Sequence, residues 1–171
     1  GWQEENYVNL NINNLPLQPV LDASGQPLLV RVDTRSGPLS ARVWLVQVGR
    51  IRLLLLDSNV DCNTAQDCQL TSRLYGGDDR LRIRQELLLG IGGVRILQAL
   101  NIIPGVLHLN EGHSAFAILE ESRRIMDYDQ IPFHRAHRRV TLRTVFTTHT
   151  PVPAGHDRFP PDLVEEHLGI F

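Results

Sequence analysis

The sequence predicts an α/β fold, an antiparallel β meander leading into part of an open parallel sheet, on three observations. Residues 28–32, 41–48 and 51–57 are β-branched and leucine-rich runs separated by Ser36-Gly37-Pro38 and Gly49-Arg50, which are turn signals. Leu87, Leu88, Ile91, Val94 and Leu97 then recur at helical spacing on one face. Residues 106–110, 114–126 and 140–148 read as strand, helix and strand, an order that makes the two strands parallel.

Taken in order, residues 1–27 are rich in Asn, Pro and Gln without a sustained period, and read mostly as loop. The three runs that follow form the meander. Residues 58–79 are polar, with Asn59, Asn63, Gly76, Gly77, Asp78 and Asp79, and read as a long loop holding at most one helical turn. In the helical stretch, Gly90, Gly92 and Gly93 each cost about 1 kcal/mol relative to alanine. Close backbone packing explains them better than a phosphate loop, because Arg95 stands where a dinucleotide loop needs its last glycine, and no strand precedes. Residues 127–139, with His134 and His137, read as a polar, solvated connection. The whole chain, 1–171, reads as a single partial domain.

The bulk numbers exclude several classes. At 42% hydrophobic and 21% charged residues, the 171-residue chain has globular composition. A net charge of −2 supplies no field for nucleic acid. The apolar runs at 53–56 and 87–89 are too short to cross a bilayer, and the chain opens on no signal-peptide pattern, so a cytoplasmic protein is expected. Cys62 and Cys68, in a polar stretch, read as two lone thiols. Opening on Gly1-Trp2-Gln3-Glu4 and closing on Leu168-Gly169-Ile170-Phe171, with Met126 the single methionine, the ends read as cuts in a longer chain.

Ligands of open parallel sheets bind beyond the carboxyl ends of the strands. Just past the first strand stand Asn110-Glu111-Gly112-His113; just past the second, His149-Thr150-Pro151 and onward to His156-Asp157. The ligand-capable residues thus gather on one rim. Each also has a structural reading. Glu111 and His113 could cap the next helix, His149 could be a satisfied core histidine, His156 and Asp157 could be turn residues, and His108 alternates to the other side of its strand. A metal hydrolase built on Glu111, His113, His149 and His156 lacks a tight ligand pair, so no metal is assigned. A nucleophilic hydrolase on Ser114 lacks the elbow glycines. Neutral His, Thr and Asn with a carboxylate suit hydroxyl recognition, which favours a sugar or sugar-phosphate site.

The segments at 107–116 (LHLNEGHSAF), 147–157 (TTHTPVPAGHD), 73–78 (RLYGGD) and 82–86 (RIRQE), with Gly1-Trp2-Gln3-Glu4-Glu5, resemble signatures of the bacterial and archaeal α-glucan phosphorylases in that family's own order. The likeness thins at 58–69 and 127–139. It implies a piece of the Rossmann-like N-terminal lobe of a two-lobed GT-B glycosyltransferase whose C-terminal lobe is missing here. Such an enzyme uses phosphate and pyridoxal phosphate to release glucose 1-phosphate from α-1,4-glucan, and a homo-oligomer at full length is compatible with the likeness. By motif, His149 would be the catalytic contact to the glucosyl unit, with Glu111, His113 and Thr150 in its pocket. Asp78 and Asp79 would fall in a gating loop, and Arg82 in the segment after it. The family's Schiff-base lysine is expected in the missing lobe. All 17 basic residues here are Arg, so this chain holds no covalent cofactor and is expected to be inactive alone. A non-catalytic glucan-binding or remnant domain is the alternative.

Overall fold

A computed structural model describes residues 10–73, 77–151 and 156–168; the segments 1–5, 74–76 and 152–155 of the motifs above lie outside them. The fold is mixed α/β, an antiparallel sheet plus a small parallel one. In the first sheet β1 (Gln18–Pro19), β2 (Leu29–Val32), β3 (Leu39–Val48) and β4 (Ile51–Asp57) are all antiparallel, with β3 central. β3 bonds to β1 and β2 along one edge and to β4 along the other. Gly49, at φ +58°, makes the two-residue turn that closes the β3–β4 hairpin, where L side chains are strained.

Period-2 alternation places Val30, Val32, Leu39, Ala41 and Val43 in the core. Helix α1 (Asp79–Leu87), a π-helical turn (Leu88–Gly92) and α2 (Gly93–Ala99) lie against that face, contributing Ile83, Leu87, Leu88, Ile91 and Ile96. The π turn is the structural answer to the glycines. A Cβ on Gly90 would stand 2.7 Å from the Ala117 backbone nitrogen, so the close backbone approach expected there is what the fold uses.

The polar stretch after β4 is pinned. Asn63 bonds Ser40 and Ser58, Ser58 bonds Thr71, and Arg84 reaches Asp67 at 2.8 Å. Among its described residues the helical turn is the 3-10 segment Asp67–Gln69. Cys62 and Cys68 are unpaired thiols.

The parallel pair is β5 (Leu107–Asn110) and β6 (Thr144–Thr147), with Asn110 beside Thr147. The crossover differs from the expected one. After a 3-10 turn (Gly112–Ser114) the helix α3 runs Ala117–Asp129, three residues later than expected at either end. The stretch read as a polar connection and the start of a strand forms instead α4 (Phe133–Thr141), which buries Ala136 and Val140 against Ile125. His134 and His137 are exposed on it, as expected for solvated side chains. Two buried glutamates on α3 are clamped by arginines: Glu120 by Arg95 and Arg123, Glu121 by Arg124 and Arg143. A last helix, α5 (Pro161–Leu168), returns to the first core through Leu163. No helix among the described residues is long and apolar enough to cross a membrane.

Candidate functional site

Parallel pairing puts the carboxyl ends of β5 and β6 on one rim, and Glu111 organises it. Its backbone nitrogen extends the ladder to the Thr147 carbonyl at 2.8 Å. Its own φ of +62° and ψ of −176° fall in a region that is essentially glycine's. The carboxylate does not cap the following turn. It accepts the backbone N–H of His149 and of Thr150, the latter at 3.1 Å, and the hydroxyls of Thr148 and Thr150 at 3.1 and 3.3 Å. The His149 N–H above all, and then the threonine groups, hold the Glu111 carboxyl below the usual glutamate range against some opposing burial. Glu111 thus aims the segment after β6, leaving the His149 ring exposed at the rim.

A second cluster adjoins it through the 3-10 turn. Arg82, on α1, donates to Asp157 at 2.6 Å. His113 Nδ1 lies 3.6 Å from the same carboxylate and 3.8 Å from Glu86 Oε1. Glu86 is buried on α1 between Ile83 and Leu87. Burial first, then the neighbouring Asp157, push its carboxyl up to about 8, with Arg82 pulling the other way. For Asp157 burial is outweighed by the hydrogen bonds from Arg82 and Glu86 and by the charges of Arg82 and His113, which hold it below the usual range. Beside this cluster opens a cavity of about 520 Å³ with an apolar wall from β4 and the π turn and a polar wall from Arg82, Glu86 and His113.

Glu86, His113 and Asp157 each bring one ligand-capable atom within 4.8 Å of the others, the one such group among the described residues. The guanidinium on Asp157 already supplies the positive charge, which argues for a shared proton in place of a cation.

The residues singled out in the sequence therefore separate. Glu111, His149 and Thr150 meet at the rim, while His113 and Arg82 meet in the second cluster. Asp78 is the N-cap of α1, accepting the Leu81 N–H at 3.0 Å, and Asp79 opens that helix, where a carboxylate complements the dipole. His108 bonds Thr147 Oγ1 at 2.7 Å on the exposed side of β5. Glu86 was not singled out, and Asp157 was placed on the rim with a turn as its structural reading. The signal for Glu86 was its place on the apolar stripe of α1, three residues after Ile83 and one before Leu87.

No family model matches the chain. Individual relatives do. The chain is 46% identical over 174 residues to the glycogen phosphorylase of Mycobacterium tuberculosis, covering 98% of this chain and 20% of that protein. It is 43% identical over 171 residues to the maltodextrin phosphorylase of Thermococcus litoralis, with 100% and 20% covered. To the glycogen phosphorylase of Aquifex aeolicus it is 36% identical over 168 residues, with 98% and 24% covered. The chain spans about a fifth of the length of the first two relatives. It is homologous to one segment of the glycogen and maltodextrin phosphorylases, a family of glycosyltransferases.

Proposed function

We propose that this chain supplies one wall of the glucosyl site of an α-1,4-glucan phosphorylase, as part of the N-terminal lobe of a two-lobed GT-B enzyme in the cytoplasm. One observation carries the reading. A strained Glu111 on the rim of the parallel pair gathers the polar groups of 148–150 and presents His149, in a segment homologous to phosphorylases. In this reading the His149 ring hydrogen-bonds the glucosyl unit, and Thr150 lines the pocket. Glu111 orients both from below. His113 and Arg82 stand behind them, and Asp78 and Asp79 mark the start of α1 at the site's edge. The substrates are glucan and phosphate; a homo-oligomer at full length is compatible with it.

Pyridoxal phosphate supplies phosphate-linked acid–base chemistry in such enzymes. This chain does not fit it as a covalent holder, because it contains no lysine. Cofactor and phosphate would bind on the complementary lobe. The 171-residue chain incubated with maltodextrin, phosphate and cofactor is therefore expected to release no glucose 1-phosphate, since half a site cannot stabilise a transition state selectively.

The decisive experiment exchanges the matched fifth of the Thermococcus litoralis relative for this chain. A folded, active chimera is expected. Its His149→Ala variant should lose on the order of 10²- to 10³-fold in kcat with a smaller change in KM. A folded but inactive chimera would support the remnant reading instead, and an unchanged kcat would return His149 to a structural role.

A further inference from the structure

We propose that Glu86 is a positioning residue that carries a shared proton: its neutral carboxyl donates to the Asp157 carboxylate and, with Arg82, ties the segment that follows His149 and Thr150 to the middle of α1. The latch itself stands apart from whether the rim takes sugar.

The geometry leaves little choice. The side chains of Glu86 and Asp157 are 8% and 17% exposed, and their oxygens lie within the 4.8 Å group. Two ionised carboxylates so close, and so dry, repel each other strongly. Among the described residues one guanidinium, that of Arg82, is bonded to the pair, and it is bonded to Asp157. Glu86 Oε1 is buried and receives no hydrogen bond from any described residue. An ionised glutamate there would be a buried charge with no guanidinium bonded to it, whereas a neutral one sheds that charge and gives its proton to the bond with Asp157. The facing groups are Arg82 on the same helix, His113 from the 3-10 turn, Asp157 from the last connection and Arg73 across the cavity. None is a second guanidinium within ion-pair distance of Glu86 among the described contacts.

The linkage has a definite sign. Glu86 keeps its proton in the folded protein up to about pH 8, while in the opened chain it ionises near its ordinary 4.5. The contribution of Glu86 to the latch is therefore fully present below about 4.5. It declines as pH rises and has been lost once the folded group titrates near 8.

The test uses carboxyl ¹³C NMR and amide hydrogen exchange on the 171-residue chain, with Glu86 assigned through Glu86→Gln. Expected is a Glu86 midpoint near pH 8. Protection factors of the amides at 156–159, corrected for intrinsic exchange, should fall by up to about tenfold per pH unit between roughly 5 and 8, then level off. Glu86→Gln, neutral and able to donate through its amide, should hold that protection flat with pH. Glu86→Leu should lose it at every pH; should Leu fail to fold, the Gln and wild-type profiles decide alone. An ordinary Glu86 midpoint would overturn the proposal. So would a midpoint near 8 with pH-independent protection, or a Gln variant as loose as Leu.

Discussion

Glu111 concentrates the residue-scale physics of this chain. Its backbone conformation is one that a side chain makes costly, and its carboxylate recovers stability by binding the groups of 148–150. Two substitutions separate these effects. Glu111→Ala keeps the strain and frees the acceptors, so the amides of 149 and 150 should exchange faster and Tm should fall. Glu111→Gly frees the same amides but relaxes the backbone, so its Tm should exceed that of the alanine variant. Equal melting temperatures would mean that φ at this position carries no strain. The rim was legible in the sequence because strand ends and turn residues are local signals. The hydrogen bonds of Glu111 across to β6 were not, since a carboxylate before a helical turn equally suits a cap. Glu86 and Asp157 meet only through tertiary packing; neither has a sequence neighbour that announces the other.

Among the elements, helix α4 shows where sequence reading stops. Its buried positions are Ala136 and Val140 alone, one turn apart, in a stretch crowded with Arg and His. Two apolar residues make too short a stripe to register as a period, and Val140-Thr141 runs on toward β6 with β-branched side chains. The meander, by contrast, was plain, because alternation and turn residues agreed. The π turn was marked by its glycines but not by its geometry. Gly90→Ala should cost about 1–3 kcal/mol, because the Ala117 backbone has nowhere to retreat; thermal denaturation near wild type would refute the contact. On α3, Glu120 is fully buried. Burial opposes its charge, but Arg123 and Arg95 outweigh that and hold its carboxyl below the usual range. Its contribution is thus present above about pH 4.5 and lost as pH falls through the lowered folded value. Glu120→Ala, which strands two arginines, should cost about 3–5 kcal/mol and flatten that acid limb. A variant whose acid-unfolding profile matches wild type would show the clamp to be inert.

At the scale of the whole molecule, apolar faces stand open among the described residues. The outer face of the β3–β4 hairpin exposes Val48, Ile51, Leu53 and Leu55, and β6 leaves both Val145 and Phe146 exposed on opposite faces. Parallel strands are ordinarily covered on both sides, so β6 is an uncovered one. The isolated chain should therefore self-associate with rising concentration, and Leu53→Lys with Leu55→Lys should suppress this without lowering Tm; sedimentation of both forms decides it. The same open surface reaches into the calorimeter. A chain that leaves more of itself wet when folded has less left to wet when it unfolds. Guanidinium should unfold it along a shallower slope, and its heat-capacity increment should fall short as well, so that its stability curve is flatter with temperature than its length implies.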